Sequence, residues 1–61
     1  MTLIKSLYIS DCLGLVRANM DCYLLYREYK TEHSQMIARG AAGNALVNAS
    51  AAIRELEIEG A

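Results

Sequence analysis

Between Leu13 and Arg39 the polar residues fall almost entirely on one line. Arg17, Asp21, Glu28, Glu32, Gln35 and Arg39 recur at steps of four, seven, four, three and four. At about 3.6 residues per turn, that spacing draws one narrow stripe along a helix. Most of the remaining circumference is apolar, including Leu13, Leu15, Val16, Met20, Leu24, Leu25 and Ile37. A surface helix of an ordinary domain hides one face, whereas this one must hide far more. A chain of 61 residues has little other material to cover it. The pattern therefore predicts self-association.

Size points the same way. Small domains bury only about 60% of the surface their unfolded chains expose, and they lean on disulfides, metals or oligomerisation. The chain is 54% hydrophobic, has no Pro, Trp or Phe, and its four aromatic residues are all Tyr. A formal net charge of −1 gives no field favouring nucleic acid or an anionic membrane. Arg17, Asn19 and Asp21 interrupt the best apolar stretch well short of a membrane span. Met1–Ile9 lacks a signal-peptide cleavage site, so the expected location is cytoplasmic. Cys12 and Cys22 on one helix stand about 15 Å apart, beyond disulfide reach. They read as small apolar residues in a reducing compartment, with a symmetric bridge across a dimer as the alternative.

The chain divides into three predicted elements within a single domain, residues 1–61. Residues 2–9 fit either a strand or a helix by periodicity. Ser10 and Asp11 are good helix N-caps, and Gly14 weakens a helix running through them, which favours a strand over 2–9. A lone strand needs a partner, and the nearest is the same strand of a second copy. A long helix then spans about 11–39, ended by Gly40 in a left-handed conformation. After Gly40–Gly43, Asn44 caps a short helix over about 44–58, frayed from Ile58 onward by Glu55, Glu57 and Glu59 at its carboxyl end. Leu46, Ala49, Ile53 and Leu56 repeat at three, four and three, a seam for helix packing, flanked by Ala45 and Ala52. The predicted fold class is mainly α: strand, long helix and short helix in an intertwined homodimer. Leu13, Val16, Met20, Leu24, Leu46, Ile53 and Leu56 form its core or dimer contact.

Residue chemistry argues against several functions. There is one His, no Ser-His-Asp set, and Gly40–Gly43 follows a helix and lacks phosphate-loop Lys and Ser/Thr, so no catalytic residue is expected. Cys22 and His33 share a face but lie about 16 Å apart, so neither a metal nor a cofactor is expected. His33 reads as a core-edge residue beside Tyr29 and Met36. Tyr23, Tyr26 and Tyr29 alternate with Arg27 and Lys30, but Glu28 and Glu32 sit among them, so nucleic acid is not an expected partner. The apolar surplus instead fits a cleft near Tyr23, Tyr26, Tyr29 and Met36 that takes an amphipathic helix of another protein. The alternatives are a DNA-binding repressor or accessory factor, and a structural or antitoxin-like partner subunit.

Three segments carry a wider likeness: TLIKSLYISDC at 2–12, LVRANMDCYLLYREYKTEHSQMIARG at 15–40 and NALVNASAAIRELEIEGA at 44–61. In size and layout the chain resembles small early proteins encoded between the recombination and excision genes of lambda-like temperate phages. That resemblance implies a cytoplasmic regulator without enzymatic activity, favouring lytic development by binding a host or phage factor.

Overall fold

The computed structural model describes residues 2–60, with side chains described through residue 58. Two helices, α1 (Leu3–Tyr26) and α2 (Glu32–Gly60), fold back on each other as an antiparallel hairpin. The rod is 44 Å long and 17 by 11 Å in cross-section.

The expected strand over 2–9 is a helix, and no strand occurs among the described residues. Thr2 is the reason α1 starts early. Its extended backbone and its Oγ1, which accepts the Lys5 amide at 3.2 Å, cap the first turn. Ser10 and Asp11 therefore lie inside a helix that has already begun. The helical spacing of Ile9, Cys12 and Val16 then has a surface to pack against, which a strand would not provide.

The long helix expected over 11–39 is broken at 27–31, and the break expected at Gly40–Gly43 does not occur. Thr31 sets the boundary. Its Oγ1 accepts the Ser34 amide at 3.1 Å and donates to Ser34 Oγ at 2.8 Å. Glu32 in the first turn of α2 complements the helix dipole. The Gln35 amide ties the turn shut, donating to the Tyr29 carbonyl at 2.7 Å and the Arg27 carbonyl at 3.3 Å. No described residue has a positive φ, so Gly40 is not a left-handed terminator. Asn44 is not a cap either: its carbonyl accepts Asn48 Nδ2 at 2.9 Å within the helix.

Helix α2 continues through its glycines because its packing face does. Lys5, Ile9, Cys12, Val16, Asn19, Tyr23 and Tyr26 follow steps of four and three along α1, and all are buried or half-buried. Ser34, Ala38, Ala41, Ala45, Asn48, Ala52 and Glu55 follow the same steps along α2, and all are likewise covered. A repeat alternating four and three is the seam of an antiparallel helix pair. Alanine at four of its α2 positions lets the backbones approach closely, while Ile9, Cys12 and Val16 fill the space from α1. Ending α2 at Gly40 would cut this seam in two.

Seam packing leaves a small interior. The buried apolar residues among those described are Ile9, Cys12, Ala38, Ala41, Ala45 and Ala52. Lys5 and Glu55 form a 4.0 Å ion pair across the open end. Being partly exposed, it contributes at most about 1 kcal/mol.

Candidate interaction surface

The residues expected to form a core divide in an informative way. Val16 lies half-buried in the seam. Leu13, Met20, Leu24, Leu46, Ile53 and Leu56 are all exposed in the single chain, so they are not its interior. The repeat of Leu46, Ala49, Ile53 and Leu56 is one residue out of phase with the seam that packs on α1. Ala45 and Ala52, expected as its flank, are the packed positions themselves. The physical reason is the close approach of the helices: methyl groups fit between them, and larger side chains are turned outward.

Sixteen large apolar side chains are exposed among the described residues. A folded monomer of 6.7 kDa exposes roughly 3,900 Å² on the usual scaling with mass. This chain exposes 4693 Å². The surplus, roughly 800 Å², goes with the elongated shape of a two-helix rod, which leaves these apolar side chains uncovered.

The four residues expected to line a cleft gather only in part. Tyr26 and Tyr29 meet at the turn with ring centroids 6.3 Å apart, and the Arg27 guanidinium lies 5.8 Å from the centre of the Tyr23 ring. Tyr23 and Tyr26 are half-buried in the seam, whereas Tyr29 is exposed. Met36 is exposed on the outer side of α2, off the seam. No pocket occurs among the described residues, so the four line no cleft in the single chain. His33 is exposed and not at a core edge, because the break at 27–31 places it in the first turn of α2.

The polar line from Arg17 to Arg39 is likewise divided. Arg17 and Asp21 belong to α1, Glu28 to the turn, and Glu32, Gln35 and Arg39 to α2. Cys12 is buried, Cys22 is half-buried, and both are free thiols. No three His, Cys, Asp or Glu residues among those described converge as metal ligands. No described helix is long and apolar enough to cross a membrane.

One titratable group near the open end departs from ordinary behaviour. Its hydrogen bond to Cys12 holds the Tyr8 phenol above its ordinary value of 10.0, helped by the thiol's charge, slight desolvation and Glu55, and opposed by Arg54. A group with a raised folded-state pKa contributes stability below its unfolded value and loses it as pH climbs through the folded one. Tyr8 is therefore expected to ionise above pH 10, and the hairpin to weaken there. A carbon-13 titration of the tyrosine ring should show Cys12→Ala or Glu55→Gln moving that transition down. A transition unmoved by both would show that neither neighbour acts on the phenol.

Tyr8 was not singled out in the sequence: Cys12 meets it one turn along α1, a helix not expected there, and Arg54 and Glu55 meet it only once the hairpin closes. No protein family, curated protein or solved structure matches this chain.

Proposed function

We propose that this protein is a non-enzymatic regulatory module that acts through protein contacts, as a homodimer of two-helix hairpins. The observation carrying this reading is the excess of exposed apolar surface over a nearly alanine-lined interior. A hairpin that buries so little supports itself poorly, and association supplies what its own seam lacks. The likeness to early proteins of lambda-like temperate phages gives the role its setting: promotion of lytic development in the host cytoplasm by engaging a helix of a host or phage regulator. Its strand component is gone, and what remains of it is small size and a helical build. The turn end, with Tyr29 exposed between Arg27 and Lys30, and Met36 exposed in the second turn of α2, offers that helix apolar contact and a basic rim.

Sedimentation equilibrium across a thousand-fold dilution, followed in parallel by thermal melts, tests the reading. The expected result is a dimer whose melting temperature falls on dilution. A monomer with a concentration-independent cooperative melt contradicts it. Changing Met36 or Tyr29 to Glu is expected to leave the dimer intact and remove the pro-lytic effect in infected cells. A folded variant with full effect would exclude the turn end as the contact.

A further inference from the structure

We infer that the flank of the rod bearing Arg17 and Arg39 seats an acidic amphipathic helix, which lies in the furrow between α1 and α2 as a third helix. This rests on the protein-contact reading above and adds the partner's charge and the place where it lies.

Because the helices are antiparallel, residues that follow a seam position on either helix border one flank, and those that precede it border the other. On the following flank the furrow is floored by Leu13 and Met20 from α1 and by Ala42 and Ala49 from α2. The two alanines are half-buried beside the seam, so the α2 side of the floor lies low. Arg17 stands on the α1 rim, and Arg39 and Leu46 on the α2 rim, all exposed.

The charges on this flank have one sign. Its positions carry arginine and no carboxylate. Arg27, at the turn end, is already engaged by Glu28 at 3.6 Å and by the Tyr23 ring at 5.8 Å. Arg17 and Arg39 form no ion pair with any described residue. Arg39 donates its Nε to the Gln35 carbonyl at 3.4 Å, which leaves the rest of its guanidinium open. Two unpaired guanidiniums on opposite rims of an apolar furrow are complementary to carboxylates that border an apolar stripe. The preceding flank carries both signs, Asp11 and Arg54, and selects neither.

Spacing gives the partner its form. Lys5 pairs with Glu55, and Ile9 packs with Ala52. That register sets Arg39 roughly 7 Å nearer the turn than Arg17, the rise of about five residues. On a helix seated in the furrow, positions on the two borders of the apolar stripe also recur about five residues apart. Glutamates there reach one arginine on each rim. Other anionic partners fit less well. A phosphate backbone meets apolar Leu13, Met20 and Leu46 between the two arginines. A flat anionic bilayer meets Asp21 and Glu32 on the same half of the rod. A second copy presenting this same flank brings arginines and no carboxylate.

Two synthetic three-heptad peptides test the proposal by fluorescence anisotropy against the full chain. Both carry Leu along the stripe; one carries Glu and the other Lys on its borders. The Glu peptide is expected to bind at least about tenfold more tightly, and to shift the NMR signals of Leu13, Met20, Ala42 and Ala49. The double variant Arg17→Glu, Arg39→Glu is expected to reverse that preference. Arg54→Glu, on the other flank, is expected to leave it within about threefold. All three arginines are exposed, and circular dichroism verifies that the variants stay helical. Equal binding of the two peptides, shifts centred on Leu15 and Val47, or a folded double variant that keeps the preference overturns the proposal. Binding of phosphatidylglycerol vesicles but not of the Glu peptide also overturns it, as does a wild-type dimer that covers Leu13 and Met20. Sedimentation reads self-association separately, so a chain that dimerises and binds neither peptide loses this site and keeps the dimer.

Discussion

Ala52→Leu is expected to open the hairpin. Ala52 is 2% exposed and packs against Ile9 and Cys12, where the two backbones run close together. Three added carbons have no space between the helices, and overpacking of this kind costs about 1–3 kcal/mol. Little else is buried to absorb the loss, so the cost falls on a large fraction of the total. Circular dichroism should show a melt shifted down strongly or lost at low concentration. Ser50→Leu, two residues away on the exposed side of α2, adds a similar hydrocarbon group without entering the seam and should change the melt little. Equal melts for the two variants would mean that the helices are not held together by the alanine positions.

A second large effect has the opposite sign. Gly14, Gly40 and Gly43 all lie inside helices, and a methyl group added at any of them meets nothing within 4 Å. Each glycine costs about 0.5–1 kcal/mol relative to alanine through the freedom of the unfolded chain. The triple variant Gly14→Ala, Gly40→Ala, Gly43→Ala is thus expected to gain roughly 1.5–3 kcal/mol. For a chain this small, each kcal/mol raises the melting temperature by about 4–8 °C. None of the three lies in the seam between α1 and α2, so the hairpin should survive. A triple variant no more stable than the wild type would place at least one of these glycines against a neighbour that the single hairpin does not contain.

The helical class was legible from residue spacing, and so was the apolar surplus, because both depend on periodicity within a few turns. The boundaries were not. A turn is usually sought at glycine, and Gly40–Gly43 drew the break away from Thr31, whose cap and Gln35 latch are made of ordinary side chains. The choice between Gly40 and Thr31 depends on which break leaves two seams able to face each other, and that is a property of the paired helices. The same limit explains the core. Leucine and isoleucine at four-three spacing look like an interior, yet α1 packs on the alanines one residue earlier, where the backbones come closer. Tyr23, Tyr26, Tyr29 and Met36 were expected to line one cleft because a single unbroken helix would carry them; the turn at 27–31 instead puts Tyr29 in the turn and Met36 on α2.

The turn also governs which larger assemblies the chain can build. Tyr26 closes the seam of α1 and Ser34 opens that of α2, eight residues later, where an unbroken repeat would take seven. The additional residue rotates the second seam by about 100° relative to the first. In the folded hairpin this offset has no cost, because the turn reorients α2 in any case. In a chain pulled straight through residues 27–31, the two seams would face different directions along a single rod. Two straightened chains could not zip together along one continuous line, so exchanging helices between copies gains less than it would for an in-phase sequence. One skipped step in the repeat thus biases the chain against domain exchange and toward closed hairpins meeting side by side.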